Sequence, residues 1–131
     1  MPSILVVDDD DDIVSVYDDL FSGFGFDVFS SEDGLACLEA RELIRPDIMI
    51  IDLAMPRLGG IDLVAKIRED DHAVPIIVLT GLNDPSKMKE AIAAGANLCL
   101  VKPIDIKILH CHITQLVPGI KPLGALSPEA S

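Results

Sequence analysis

Pro46-Asp47-Ile48-Met49-Ile50-Ile51-Asp52-Leu53-Ala54-Met55-Pro56 is the stretch that decides the fold. Four apolar residues, three of them β-branched, run without a break into one acid. A short, wholly apolar, β-branched run reads as a strand buried on both faces. The segment that follows, Met55-Pro56-Arg57-Leu58-Gly59-Gly60, is turn-forming. Asp52 therefore stands at the exit of a buried strand, on the carboxyl edge where open α/β sheets place their ligands. Taken alone, the same acid could equally be a cap for the next helix.

Four more strands surround it. Ser3-Ile4-Leu5-Val6-Val7 runs into Asp8-Asp9-Asp10-Asp11-Asp12. Phe26-Asp27-Val28-Phe29-Ser30 is short. Pro75-Ile76-Ile77-Val78-Leu79-Thr80 ends in a hydroxyl and Gly81, and Asn97-Leu98-Cys99-Leu100-Val101 ends in Lys102-Pro103. Between the strands lie helical spacings of three and four. The apolar positions are Ile13, Val16, Tyr17, Leu20, Phe21 and Phe24 in the first helix, then Leu35, Leu38 and Leu43 with Ala36 and Cys37 in the second. The third turns Ile61, Leu63, Val64 and Ile67 inward and Lys66, Arg68 and Glu69 outward. The fourth carries Met88, Ala91 and Ile92, and the fifth Ile104, Ile108, Leu109, Ile113 and Leu116. Asn83 or Asp84 caps the fourth helix, with Pro85 in its first turn. Five strands alternating with five helices predict an α/β fold, a doubly wound parallel sheet. Right-handed crossovers put all five strand ends on one edge. That edge gathers Asp8, Asp9, Asp52, Thr80 and Lys102.

Composition narrows the function. The chain has 131 residues, half of them hydrophobic, which suits one globular domain. No apolar run approaches the roughly 20 residues of a spanning helix, and no secretory signal opens the chain, so a cytoplasmic location is expected. Cys37, Cys99 and Cys111 are far apart and without a C-x-x-C pair, and read as buried reduced thiols. The net charge is −12, and residues 1–33 hold ten acids and no base. Such a surface repels nucleic acid and anionic membranes and suits a cation or a basic partner. His72, His110 and His112 read as surface residues. Residues 118–131, rich in Pro, Gly, Ala and Ser, read as a flexible tail or the start of a linker.

The gathered groups have a chemistry. Three carboxylates raise one another's pKa unless a cation neutralises them. An all-oxygen donor set suits Mg²⁺. Mg²⁺, an ammonium and a hydroxyl around a carboxylate equip a site for a phosphoryl group, with Asp52 as nucleophile. No G-x-x-x-x-G-K-[ST] loop is present to hold ATP, so the donor would be a phosphorylated partner or a small phosphoanhydride.

These motifs, in this order and spacing over about residues 3–117, closely resemble the response-regulator receiver domains of two-component signalling. The motifs that carry the resemblance are Ile4-Leu5-Val6-Val7-Asp8-Asp9, the Asp52 stretch, Pro75 to Gly81, and Gly95-Ala96-Asn97 leading to Val101-Lys102-Pro103. The resemblance implies a flavodoxin-like five-stranded parallel sheet in the order 2-1-3-4-5. It makes Asp52 the phosphorylation site and gives Mg²⁺ to Asp8, Asp9 and Asp52, with the backbone carbonyl of Ala54 as a further ligand. It makes Thr80 the switch hydroxyl and Lys102 its companion. The implied donor is a sensor histidine kinase or a histidine phosphotransfer protein. A homodimer through the fourth helix, fifth strand and fifth helix is compatible with Lys87, Lys89, Glu90 and Lys107 on that face. One position departs: family members usually carry Tyr or Phe three residues before the lysine, and here it is Cys99. Activation would then be reported by backbone shifts from Thr80 to Asp84. The apolar Ala54 and Leu82, beside the path of an attacking water, argue against fast self-dephosphorylation.

Two rivals remain open at this point. A phosphatase working through an aspartyl-phosphate would usually want a second acid where Ala54 stands. A phosphorylation-independent interaction module could keep the pocket residues unused. After Val117 only fourteen residues remain, so the chain reads as a stand-alone regulator or as one part of a longer protein.

Overall fold

A computed structural model describes residues 2–53, 55, 58–81 and 83–120. The elements are β1 (Ser3–Val7), α1 (Asp11–Gly23), β2 (Asp27–Ser31), α2 (Gly34–Ile44), β3 (Ile48–Asp52), α3 (Gly60–Arg68), β4 (Ile76–Thr80), α4 (Pro85–Ala94), β5 (Leu98–Val101) and α5 (Ile106–Leu116). The strands form one parallel sheet in the order β2-β1-β3-β4-β5. The three central strands carry Val, Ile, Leu and Met almost throughout because both of their faces are covered. Ile4, Val6, Ile48, Ile50, Ile77 and Leu79 pack with Phe21 of α1, with Phe24 just past its end, and with Leu109 and Ile113 of α5. Leu5, Val7, Met49, Ile51, Ile76 and Val78 pack on the other side with Cys37 of α2, Leu63, Val64 and Ile67 of α3 and Ala91 of α4.

Register brings the strand ends level. Val7 pairs with Ser31 and with Ile51, Asp52 with Leu79, and Thr80 with Val101. The ladder continues one residue past several strands. Asp8 N–H donates to Ser31 O at 3.1 Å, Leu53 N–H to Leu79 O at 3.0 Å, and Lys102 N–H to Thr80 O at 2.6 Å. At the opposite edge the Asp47 carboxylate accepts from Ser3 N–H at 2.8 Å, which ties the start of β3 to that of β1. Asp10, Asp33, Asp84 and Asp105 cap α1, α2, α4 and α5 through their side chains.

Some helix faces differ from the sequence expectation. Leu43 is 88% exposed, and Leu35, Val16, Ile92 and Ile108 are exposed as well. In α2 the inward side chains are Cys37 and Leu38, both expected, together with Ala40, Arg41 and Ile44. Hydropathy misses Arg41 because its head is charged. Its stem packs inward while Nη2 meets Asp70 Oδ1 at 2.6 Å. Leu43→Gln should therefore stay within about 0.5 kcal/mol of wild type in urea denaturation. An inward Leu43 would lose several times as much. Arg68, expected outward, is half-buried and bonds the loops between α3 and β5.

All three cysteines are free, but only Cys37 is buried; Cys99 is half-buried and Cys111 exposed. Burial pushes the Cys37 thiol up to about 12, against a smaller pull from Arg41. Ile120 packs against the α1–α5 side, and the remainder of the expected tail, 121–131, lies outside the described residues.

Candidate functional site

The carboxyl edge of the sheet gathers the expected groups. Asp8 follows β1, Asp52 ends β3, Thr80 ends β4 and Lys102 follows β5. One carboxylate oxygen each from Asp8, Asp9 and Asp52 lie within 4.8 Å of one another. Asp8 and Thr80 are buried, Asp52 is half-buried and Asp9 is exposed. The Lys102 ammonium stands 3.4 Å from Asp8 Oδ2 and 3.8 Å from Asp52 Oδ1. Ala54 and Leu82 lie outside the described residues.

The five consecutive aspartates divide their work. Asp10 N–H donates to Asp8 Oδ1 at 3.0 Å and so orients the buried carboxylate. The Asp10 side chain turns away to accept from Asp12 N–H and Ile13 N–H and starts α1. Asp11 and Asp12 occupy the first turn, where the helix dipole favours them. Asp8 and Asp9 remain to face the cleft.

A close approach fixes the strand end from below. Gly60 N–H donates to Leu53 O at 3.0 Å. A Cβ on Gly60 would lie 2.7 Å from Asp52 O and 2.8 Å from Leu53 Cα. The start of α3 can sit this near only because residue 60 has no side chain.

The electrostatics follow from these distances. Burial alone would lower the Lys102 pKa, but the carboxylates of Asp52 and Asp8 outweigh it and hold the ammonium above its usual value. The phenol of Tyr17 on α1 lies in the same field. Burial raises its pKa first, Lys102 pulls it down, and Asp8 and Asp52 push it up. The sequence alone placed Tyr17 in the core of α1. Its ring is there, and its hydroxyl end feels the site. The available signal was a lone hydroxyl on the inward stripe, two turns after the acidic cluster. Cys99 lines an apolar hollow with Met88, Ile92 and Leu98 on the α4–β5 face.

A buried carboxylate, two neighbouring acids and one ammonium on a parallel sheet's carboxyl edge match a known family. The chain fits the response regulator receiver domain across residues 4–114. It belongs to that family. Among curated relatives, a 116-residue stretch is 33% identical to transcriptional regulatory protein PrrA of Mycobacterium tuberculosis, covering 88% of this chain and 50% of that protein. A 114-residue stretch is 32% identical to sensor protein EvgS of Escherichia coli K12, covering 87% of this chain and 10% of that protein. The chain thus spans half or less of these relatives. Among solved structures, chemotaxis protein CheY4 of Vibrio cholerae superposes with a TM-score of 0.83 at 29% identity, over 89% of this chain and 99% of that one. The receiver domain of Francisella response regulator 1452 gives 0.82 at 30% identity, over 88% and 96%. The strand order 2-1-3-4-5 and the flavodoxin-like fold are those expected, and the chain is a phosphoacceptor-type signalling receiver of two-component systems.

Proposed function

We propose that Asp52 accepts a phosphoryl group from the phosphohistidine of a sensor histidine kinase or a histidine phosphotransfer protein. The observation that carries this is the Lys102 ammonium set between Asp8 and Asp52. An Asp52 carboxylate oxygen attacks phosphorus, the P–N bond to the imidazole breaks, and the departing nitrogen keeps the electron pair and takes a proton. Lys102 would meet the charge growing on one phosphoryl oxygen, and the Thr80 hydroxyl would donate to another. The oxygen-only set Asp8, Asp9 and Asp52 fits Mg²⁺, with the Ala54 carbonyl proposed as a further ligand. Bound there, Mg²⁺ would offset charge on the phosphoryl oxygens. The domain extends over 3–117. It acts as a switch in protein contacts and catalyses only its own phosphorylation and dephosphorylation. With ten of its acids in residues 1–33, this segment suits a protein partner better than nucleic acid. No helix among the described residues is long and apolar enough to cross a membrane, and a cytoplasmic site of action suits a partner kinase.

Incubation of the full chain with acetyl phosphate tests the reading by intact mass. With Mg²⁺ one phosphoryl group should add, labile to hydroxylamine and confined to the peptide that holds Asp52. Addition elsewhere, or none, would refute the assignment, and steady turnover of a phosphomonoester would point to a phosphatase.

A further inference from the structure

The affinity of a carboxylate site for a metal depends on how firmly each ligand is held. Mg²⁺ demands near-octahedral geometry and gives up its waters reluctantly. Groups that orient a ligating side chain typically account for roughly 10–100-fold of affinity. Asp8, the buried member of the acidic trio, is held at three points. Its N–H donates to Ser31 O at 3.1 Å. Its Oδ2 lies 3.4 Å from the Lys102 ammonium, and its Oδ1 accepts from Asp10 N–H at 3.0 Å. Lysine reaches its partner on a flexible stem. The amide is rigid, so it sets the rotation of the Asp8 carboxylate.

That amide is itself held from the far side. Asp10 Oδ1 accepts from Asp12 N–H at 3.0 Å and from Ile13 N–H at 3.3 Å. Asp10 O accepts from Val14 N–H at 3.0 Å. Three donors of the first turn of α1 thus converge on one residue. Any residue but proline has an amide to offer at this position. Only a short side chain with an acceptor oxygen locks that amide to the helix start. Two aspartate turns in series, each a carboxylate bonding the N–H two residues on, run from the metal site into α1. Asp9 stands on the backbone between them.

We propose that Asp10 is a positioning residue for the divalent-cation site: its carboxylate caps α1, fixes the amide that orients Asp8, and so sets Mg²⁺ affinity without touching the ion. This rests on the reading of Asp8, Asp9 and Asp52 as the Mg²⁺ site that serves phosphoryl acceptance. The acting property of Asp10 is its cap and not its charge. A fourth acid near three others would also draw a cation through space. The two origins predict opposite orders among variants.

Calorimetric titration of the full chain with MgCl₂ separates them. Asp10→Ser keeps a capping oxygen and drops the charge. Asp10→Glu keeps the charge on a longer stem that is a poor cap, and Asp10→Ala loses both. Asp10→Ser should bind Mg²⁺ within about twofold of wild type, and Asp10→Glu and Asp10→Ala about tenfold more weakly. Asp84→Ala controls for the loss of a cap as such. Asp84 Oδ1 accepts from Ser86 N–H at 3.0 Å and from Lys87 N–H at 3.3 Å, the same pair of distances at the start of α4. Asp10→Ala and Asp84→Ala should both melt about 4 °C below wild type, and only Asp10→Ala should lose Mg²⁺ affinity. The proposal is overturned if Asp10→Ser falls as far as Asp10→Ala, or if Asp10→Glu binds as wild type does. It is overturned equally if Asp84→Ala loses as much affinity as Asp10→Ala, or if wild type binds no Mg²⁺. The titration does not depend on phosphoryl transfer. Should Mg²⁺ bind in the expected order while Asp52 takes no phosphoryl group from acetyl phosphate, the positioning role stands and the assignment of Asp52 falls.

Discussion

Asp52→Asn takes no phosphoryl group from acetyl phosphate, and Lys102→Met takes it about a hundredfold more slowly than wild type; these are the expected results, and magnesium separates their causes. An amide at position 52 removes the proposed nucleophile and one of the three carboxylates gathered within 4.8 Å. Mg²⁺ binding should weaken on the order of tenfold, because affinity for a hard cation follows the charge count of its ligands. Lys102→Met removes no ligand. It removes a positive charge 3.4 Å from Asp8 and 3.8 Å from Asp52, and Mg²⁺ should bind about tenfold tighter. Asp8 is buried, so without a cation it faces Asp52 uncompensated. The melting temperature of Lys102→Met should therefore drop in EDTA and recover with Mg²⁺, by linkage of folding to binding. The alkaline limb offers a second check. The pKa of Lys102 is raised in the fold, so its stabilisation is full below the unfolded value of about 10.4 and is lost as pH rises through the folded value. Wild type should lose stability over that window more steeply than Lys102→Met. If Lys102→Met bound Mg²⁺ more weakly than wild type, the ammonium would not be a competitor for the site.

Sequence resolved the sheet and its edge because both rest on strong, local signals. Short apolar runs rich in β-branched residues and bounded by turn signals favour buried strands, and a parallel sheet brings their ends level, so Asp8, Asp52, Thr80 and Lys102 were legible before any coordinates. Helix faces were less so. In α2 a count of leucines pointed to Leu35, Leu38 and Leu43; Leu38 packs on the core, but Leu35 and Leu43 are exposed, while the packed stripe includes Arg41, whose charge is offset by Asp70 just past α3 on the same face of the sheet. A side chain that buries its stem and pairs its head looks solvent-exposed to any hydropathy count. Arg68 was misread for the same reason. Its partners are Gly95 O, Asp71 O and Asn97 Oδ1, two of them backbone atoms that no residue type announces. At the site, spacing could supply the charged groups but not the distances between them, such as the 3.4 and 3.8 Å from Lys102 to Asp8 and Asp52.

Gly95→Ala is the largest stability loss expected away from the site. Gly95 ends α4 with φ +125°, a backbone conformation that side chains with a Cβ rarely take. Its N–H donates to Ala91 O and Ile92 O, so the position cannot relax without unravelling the last turn. A Cβ here would also stand 2.5 Å from Arg68 Cγ and 3.0 Å from Arg68 Nε. Arg68 is not free to yield. Its Nε donates to Gly95 O at 2.9 Å, one terminal nitrogen to Asp71 O at 3.0 Å and the other to Asn97 Oδ1 at 3.1 Å. Asn97 Oδ1 also accepts from Ile76 N–H at 2.8 Å, where β4 begins. One guanidinium thus ties the ends of α3 and α4 to the starts of β4 and β5. Backbone strain of about 1–3 kcal/mol and the loss of a charged hydrogen bond, about 1.5–3 kcal/mol, together predict a fall of about 4 kcal/mol in urea denaturation. Gly59→Ala is the matched control, since nothing lies within 4 Å of its would-be Cβ and its φ is −70°, and it should shift stability by less than about 0.5 kcal/mol. A double-mutant cycle with Arg68→Ala tells strain from collision. If the clash dominates, removing Arg68 first makes the glycine substitution markedly cheaper, and the two losses are not additive. Additive losses would place the whole effect in the backbone of residue 95.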